Sequence, residues 1–163
     1  MQIRSAETAG FCFGVERAVS LAEQTAKSCA SAVTLGPIIH NRHVVERFEA
    51  MGLREIARAE DAQPGQTVVI RAHGIPVSEQ QTLAARGAKL VDATCPFVKK
   101  IHVIARQAEE AGRHLLIIGT PTHPEVTAIA SYSSDAHVFQ TAEALESWLT
   151  EAPGRRDLPF CMV

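Results

Sequence analysis

The chain has 163 residues, with 16 Lys and Arg against 18 Asp and Glu, so its formal net charge is −2. Its charges are mixed and its aromatic residues few (one Trp, one Tyr, six Phe), which excludes the basic footprint of a non-specific nucleic-acid binder and a stacking platform for single strands. With 46% apolar residues the chain can bury a core as one ordinary domain or two small ones, and no apolar run approaches the ~18 residues of a membrane span.

Gly14 to Lys27 carries Val15, Ala18, Val19, Ala22 and Ala26 at helical spacing. Ala32 to Leu35 reads as a strand ended by Gly36-Pro37. Val44, Val45, Phe48 and Met51 predict a second helix, stopped by Gly52, and Leu53 to Ile56 a short strand. A turn at 61–65 leads into the β-branched strand Thr67 to Ile70. A helix from Pro76 to Arg86 ends at Gly87, and a strand follows at 89–91. Pro96 to Ala111 reads as a helix, His114 to Ile118 as a fully apolar strand, and Pro124 as the start of another helix. A weak strand at 137–139, a helix at 141–149, a turn at Pro153-Gly154 and an apolar strand from Leu158 to Val163 complete the pattern. Strands alternating with helices predict an α/β fold of repeated βαβ modules with parallel sheets. Their nearly continuous apolar character predicts sheets covered on both faces.

The opening MQIRSAETAGFCFGVERAV lacks the basic-then-apolar layout of a secretory signal, which predicts a cytoplasmic protein. In a reducing compartment, Cys12, Cys29, Cys95 and Cys161, without a CxxC pair, are expected as buried, catalytic or metal-binding thiols. Cys95 stands where a helix N-cap belongs, with Pro96 at the first helical position. The dipole and free N–H groups of a helix start favour a thiolate, the form that ligates a metal or attacks. Cys12, between Gly10 and Gly14, repeats the placement. The bland alternative for both is a small packed thiol. Cys29 and Cys161 read as core or half-buried residues.

Three strands end in a Gly-containing loop that carries a histidine: LGPIIHN with His40, IRAHG with His73 and IIGTPTHPE with His123. Ligands of open α/β sheets sit beyond the carboxyl ends of the strands. One such His is an ordinary surface imidazole, whereas three in equivalent positions predict a shared site. Glu125, at the start of a helix, is either a favourable partner of the helix dipole or a proton donor. Asn41, Thr94 and Thr120 are weaker polar candidates at strand ends.

Taken in order, GFCFGVERAV, LGPIIHN, IRAHG, LVDATCP and THPEV make the chain resemble the hydroxymethylbutenyl diphosphate reductase family (LytB/IspH), over essentially its whole length. The resemblance implies reductive removal of the allylic hydroxyl of 4-hydroxy-3-methylbut-2-enyl diphosphate, giving isopentenyl and dimethylallyl diphosphate in the non-mevalonate isoprenoid pathway. It implies a [4Fe-4S] cluster held by three cysteines, two of which match Cys12 and Cys95. It implies that His40, His73 and His123 surround the diphosphate substrate, that Glu125 with His123 serves catalysis and proton delivery, and that ferredoxin or flavodoxin supplies electrons. No nucleic-acid or membrane partner is expected.

The family fold is three α/β modules around the cluster. By resemblance, residues 14–95 form the first module, 96–163 a truncated second, and 1–13 a segment of the third module's sheet. The family chain is longer, and its third cluster cysteine, its Gln-Thr-Thr stretch and its diphosphate-binding Ser and Asn residues come later. Cys161 is therefore not the third ligand, and Val163 is expected to be an unnatural end, because an unfinished sheet exposes an apolar edge. The reading is an N-terminal portion, inactive alone. The alternatives are a folded remnant without a cluster, acting at most as a phosphate-binding or interaction module, and a zinc-dependent hydrolase, which lacks a supporting signature.

Overall fold

The computed structural model describes residues 2–4 and 6–163. Among the described residues, seven strands form two all-parallel sheets. The first contains β1 (Val33–Leu35), β2 (Arg54–Ile56), β3 (Thr67–Ile70) and β4 (Lys89–Asp92), in the order β2-β1-β3-β4. The second contains β5 (His114–Ile118), β6 (Ala136–Phe139) and β7 (Phe160–Met162), in the order β6-β5-β7. The helices are α1 (Phe13–Ser28), α2 (Arg42–Ala50), α3 (Val77–Ala85), α4 (Pro96–Glu110), α5 (Pro124–Ala130) and α6 (Ala142–Thr150).

The first sheet has a core on each face, because its strand residues alternate sides. Val69 of β3 faces Ala18, Val19 and Ala22 of α1 and Val44 and Phe48 of α2. Its neighbours Val68 and Ile70, with Val33 and Leu35 of β1, face Leu83 of α3 and the 3-10 turn at Ala59–Asp61. In the second sheet, Leu115 and Ile117 of β5 pack with Ala105 and Ala108 of α4 and Val126 and Ile129 of α5. Its other face carries α6, which buries no residue fully.

The helix α4 runs from the end of β4 to the start of β5 and so joins the sheets. The seam is polar: Ser131 Oγ accepts from the Val77 amide at 3.0 Å, and Gln80 Nε2 donates to Tyr132 Oη at 2.9 Å. Tyr132 stacks on His102 of α4 with ring centroids 4.7 Å apart. Beside these groups, Gly74, Thr94 and Arg106 help to line a cavity of about 220 Å³.

Boundaries depart from the sequence reading where caps intervene. The helix α2 starts at Arg42 because the Asn41 side chain accepts from the Val44 amide at 3.3 Å. The last strand is shorter than Leu158 to Val163 because Arg155–Asp157 form a 3-10 turn that Leu158 caps. Met1 and Ser5 lie outside the described residues; 2–4 and 6–12 join neither sheet, and Phe13 already belongs to α1. Among the described residues no helix is long and apolar enough to cross a membrane.

Candidate functional site

Four strands of the two sheets end at the site, and backbone pairing continues past three of them. The Ala72 amide donates to Ile38 O at 3.1 Å, Ala93 to Ile70 O at 3.1 Å, and Cys95 to Ala72 O at 2.9 Å. The loops after β1, β3 and β4 are thereby zipped side by side, which fixes the relative positions of His40, His73 and Cys95. The loop after β5 brings His123 from the second sheet, braced by the His123 amide donating to Thr120 O at 2.9 Å.

The three histidines converge. Ring centroids are 4.6 Å apart for His40 and His73, 5.7 Å for His73 and His123, and 6.1 Å for His40 and His123. One nitrogen from each lies within 4.8 Å of the others. His73 is half-buried, and its Nδ1 is shut from water without a hydrogen-bond partner. Burial, reinforced by the neighbouring His40, Arg71 and His123, pushes its pKa down to about 4, so it is a neutral imidazole at pH 7. His123 caps α5, and its Nδ1 accepts from the Glu125 amide at 3.2 Å. In the neutral ring the proton is then on Nε2, which makes that nitrogen a donor.

The turn after His73 needs glycine. Gly74 has φ +75°, and a Cβ there would lie 2.6 Å from His102 Cε1. Arg71 clamps the same turn, its Nε donating to Gly74 O at 3.1 Å while the Gly74 amide donates to Arg71 O at 3.0 Å.

Cys12 and Cys95 are the N-caps of α1 and α4, with Pro96 opening α4. Gly14, in the first turn of α1, lets the two helix starts meet: a Cβ on it would lie 2.3 Å from Cys95 Sγ. Arg17, one turn further on, ties α1 to the end of β4, with Nη1 donating to Thr94 O at 3.2 Å and Nη2 to Asp92 O at 3.4 Å. Asp92 in turn accepts from the Thr94 amide at 2.9 Å and pairs with Lys99. Burial raises the Asp92 carboxyl, but hydrogen bonds from Lys99 and Thr94 outweigh it and hold the pKa below the usual value. Exposed Phe11, Phe13 (63%) and Phe97 (70%) flank the two thiols.

Glu125 sits in the first turn of α5, in a cleft of about 330 Å³ shared with Gly119, Thr120, His123 and Ile118. Cys29 and Cys161 stand elsewhere. Cys29 caps the far end of the 16-residue α1, about 24 Å along the axis from Cys12. Cys161 lies in β7 against the core of the second sheet. Asn41 serves as a helix cap.

Sequence reasoning missed three supporting residues: Gly14, Arg17 and His102. The last had a signal, since Val98, His102 and Ala105 line one helical stripe and His102 is 6% exposed.

The chain is similar to known proteins. The chain is 44% identical over 153 residues to the 4-hydroxy-3-methylbut-2-enyl diphosphate reductase of Solidesulfovibrio magneticus, covering 90% of this chain and 54% of the relative. It is 47% identical over 150 residues to the enzyme of the same name from Oleidesulfovibrio alaskensis, covering 90% and 53%. A solved structure of (E)-4-hydroxy-3-methyl-but-2-enyl diphosphate reductase, the terminal enzyme of the non-mevalonate pathway, superposes with a TM-score of 0.76 at 40% identity, covering 90% of this chain and 53% of that one. The reductase structure from Plasmodium falciparum gives a TM-score of 0.80 at 26% identity, covering 86% and 45%. The chain thus spans about half the length of the curated relatives it matches. The model of the LytB protein family matches residues 3–161, and the chain belongs to that family.

Proposed function

We propose that this chain supplies the N-terminal half of an active site that reductively dehydroxylates 4-hydroxy-3-methylbut-2-enyl diphosphate to isopentenyl and dimethylallyl diphosphate. Two electrons and two protons enter, the allylic C–O bond breaks, and the oxygen leaves as water. The observation that carries the reading is the convergence of His40, His73 and His123 beyond the strand ends of both sheets, on the loops zipped to Cys95.

The donor set fits a [4Fe-4S] cluster at two ligand positions. Cys12 and Cys95 present thiols at two helix starts that Gly14 allows to meet, and a third ligand would come from the remaining length of the relatives. Such a cluster, when bound, supplies the electrons and a Lewis-acidic iron; ferredoxin or flavodoxin is the proposed donor. The chain's own groups do the rest. His123 offers an Nε2 proton to a diphosphate oxygen, and His73 stays uncharged at neutral pH and orients rather than neutralises. Helix starts add N–H donors. Glu125, in the cleft next to His123, delivers a proton to the departing oxygen. The exposed Phe11, Phe13 and Phe97 offer an apolar face for the remaining half of such a site.

Anaerobic reconstitution with iron and sulfide, followed by addition of substrate and a low-potential reductant, tests this. The expected result is iron retention that Cys95→Ser abolishes, and binding of isopentenyl diphosphate that His73→Ala weakens. Iron content unchanged by Cys95→Ser sinks the cluster assignment, and a colourless chain that still binds the diphosphate favours a phosphate-binding module instead.

A further inference from the structure

A second cluster of ligating side chains lies at the opposite end of the second sheet. His114 opens β5, Asp135 immediately precedes β6, and His137 is the second residue of β6. Adjacent parallel strands set them side by side, with Leu115 paired to Ala136 and Leu116 to His137. One ligating atom from each residue lies within 4.8 Å of the others. His137 Nε2 is 2.7 Å from one Asp135 oxygen, and His114 Nδ1 touches the other. His114 Nδ1 is shut from water and makes no hydrogen bond. The five-residue β5 separates this end from the strand end that leads to His123, a distance of roughly 13 Å along the strand.

We propose that His114, Asp135 and His137 bind a divalent transition-metal ion. Two imidazole nitrogens and one carboxylate form a donor set of borderline hardness, suited to zinc, nickel, cobalt or copper and not to calcium or magnesium. Ligand bonds of about 2 Å place neighbouring donor atoms about 3 Å apart, close to the separation of His137 and Asp135. On binding, each imidazole keeps its proton on the nitrogen facing away from the ion, and the carboxylate offsets one of the two charges. The rings are held for this. His137 lies 4.5 Å from the Trp148 ring, and His114 lies 5.9 Å from Phe160. The partial exposure of all three residues leaves room for water to complete the coordination. The ion would staple the start of β5 to the start of β6, on the face of the sheet where α6 supplies no buried residue.

Trp148 is the only tryptophan in the chain, and its place beside His137 makes it the reporter. Nickel(II), a fluorescence quencher at short range, is titrated into the purified chain at pH 7.5. Saturable quenching of Trp148 is expected, reversed by excess zinc. Asp135→Asn and His114→Ala, neither of which removes a ring touching Trp148, weaken the nickel midpoint about tenfold or more. His40→Ala, in the other histidine cluster, leaves it unchanged. Quenching that rises linearly with nickel, or that Asp135→Asn and His114→Ala leave intact while their circular dichroism matches the parent, overturns the proposal. So does quenching abolished by His40→Ala alone, which places the ion at the other cluster.

Discussion

The two sheets are built alike in sequence and differently in support. In the first, both faces of the strands are covered by apolar helices or a 3-10 turn, giving two cores around β1 and β3. In the second, one apolar core lies under α4 and α5. The opposite face is a layer of His137, Phe139, Trp148 and Phe160 under a helix with no buried residue. The loops that carry His40, His73 and Cys95 all hang from the doubly covered sheet. Only His123 and Glu125 come from the other. Packing on two faces holds the ends of a loop in place because close-packed interiors have low compressibility and transmit strain.

The strongest way to break this comparison is to open the single core. Leu115 is fully buried in β5, and Leu115→Ala is expected to destabilise the second sheet by about 2–5 kcal/mol. Because no second core backs that sheet, hydrogen exchange should accelerate in β5, β6 and β7 while β1 and β3 keep their protection. Loss of protection in both sheets together would mean one cooperative unit and end the distinction.

The next largest effect concerns the place where α1 meets α4. Gly14→Ala puts a methyl group 2.3 Å from Cys95 Sγ, so either the thiol or the start of α1 must shift. Iron retained after reconstitution is expected to fall about 10–100-fold in affinity, the usual cost of misplacing a ligand through its support. Thiol reactivity of Cys95 offers a readout independent of iron. If both match the parent, the two helix starts are looser than their hydrogen bonds indicate.

Much of the first sheet's site was legible because its residues sit at the boundaries that sequence marks best. A Cys before a Pro reads as a helix N-cap, and Gly-containing loops after β-branched strands read as strand ends. The repeat of a histidine in three such loops carried the expectation of one shared site, and the structure brings those three rings together. What was not legible depends on contacts between distant segments. Gly14 looks like an ordinary helix-start glycine until Cys95, 81 positions later, lies against it. Arg17 looks like a solvated helix charge until it bonds the carbonyls of Asp92 and Thr94. The His114, Asp135 and His137 group appears only when the strand register is known, because nothing local links residue 114 to residue 135.

The pH dependence separates the two histidines that burial holds neutral. His73 has a folded pKa of about 4, below the ordinary 6.5. Between those values the unfolded chain binds a proton that the folded chain does not, so stability rises with pH across this window and is lost as pH falls through it. His73→Gln is expected to flatten that slope by up to one proton, measured from urea midpoints at a series of pH values. His102 is shifted in the same direction by burial. A slope that survives His73→Gln and disappears in His102→Gln assigns the acid sensitivity to the seam between the sheets and not to the site.

The smallest effect probes that seam. Tyr132→Phe keeps the ring stacked on His102 and removes only the oxygen that accepts from Gln80 Nε2. Gln80 Nε2 keeps its bond to Ile75 O at 3.1 Å and only its second N–H loses a partner; Gln80 is half-buried, so water can reach that group, and the cost should be about 0.5–1.5 kcal/mol. A double-mutant cycle with Gln80→Ala isolates the bond from the stack. Coupling near zero would mean that the stacked rings and the Ser131 bond to the Val77 amide carry the joint. Measurable coupling would make Gln80 the residue through which α3, on the doubly covered sheet, sets the angle of α5 and with it the position of His123 and Glu125.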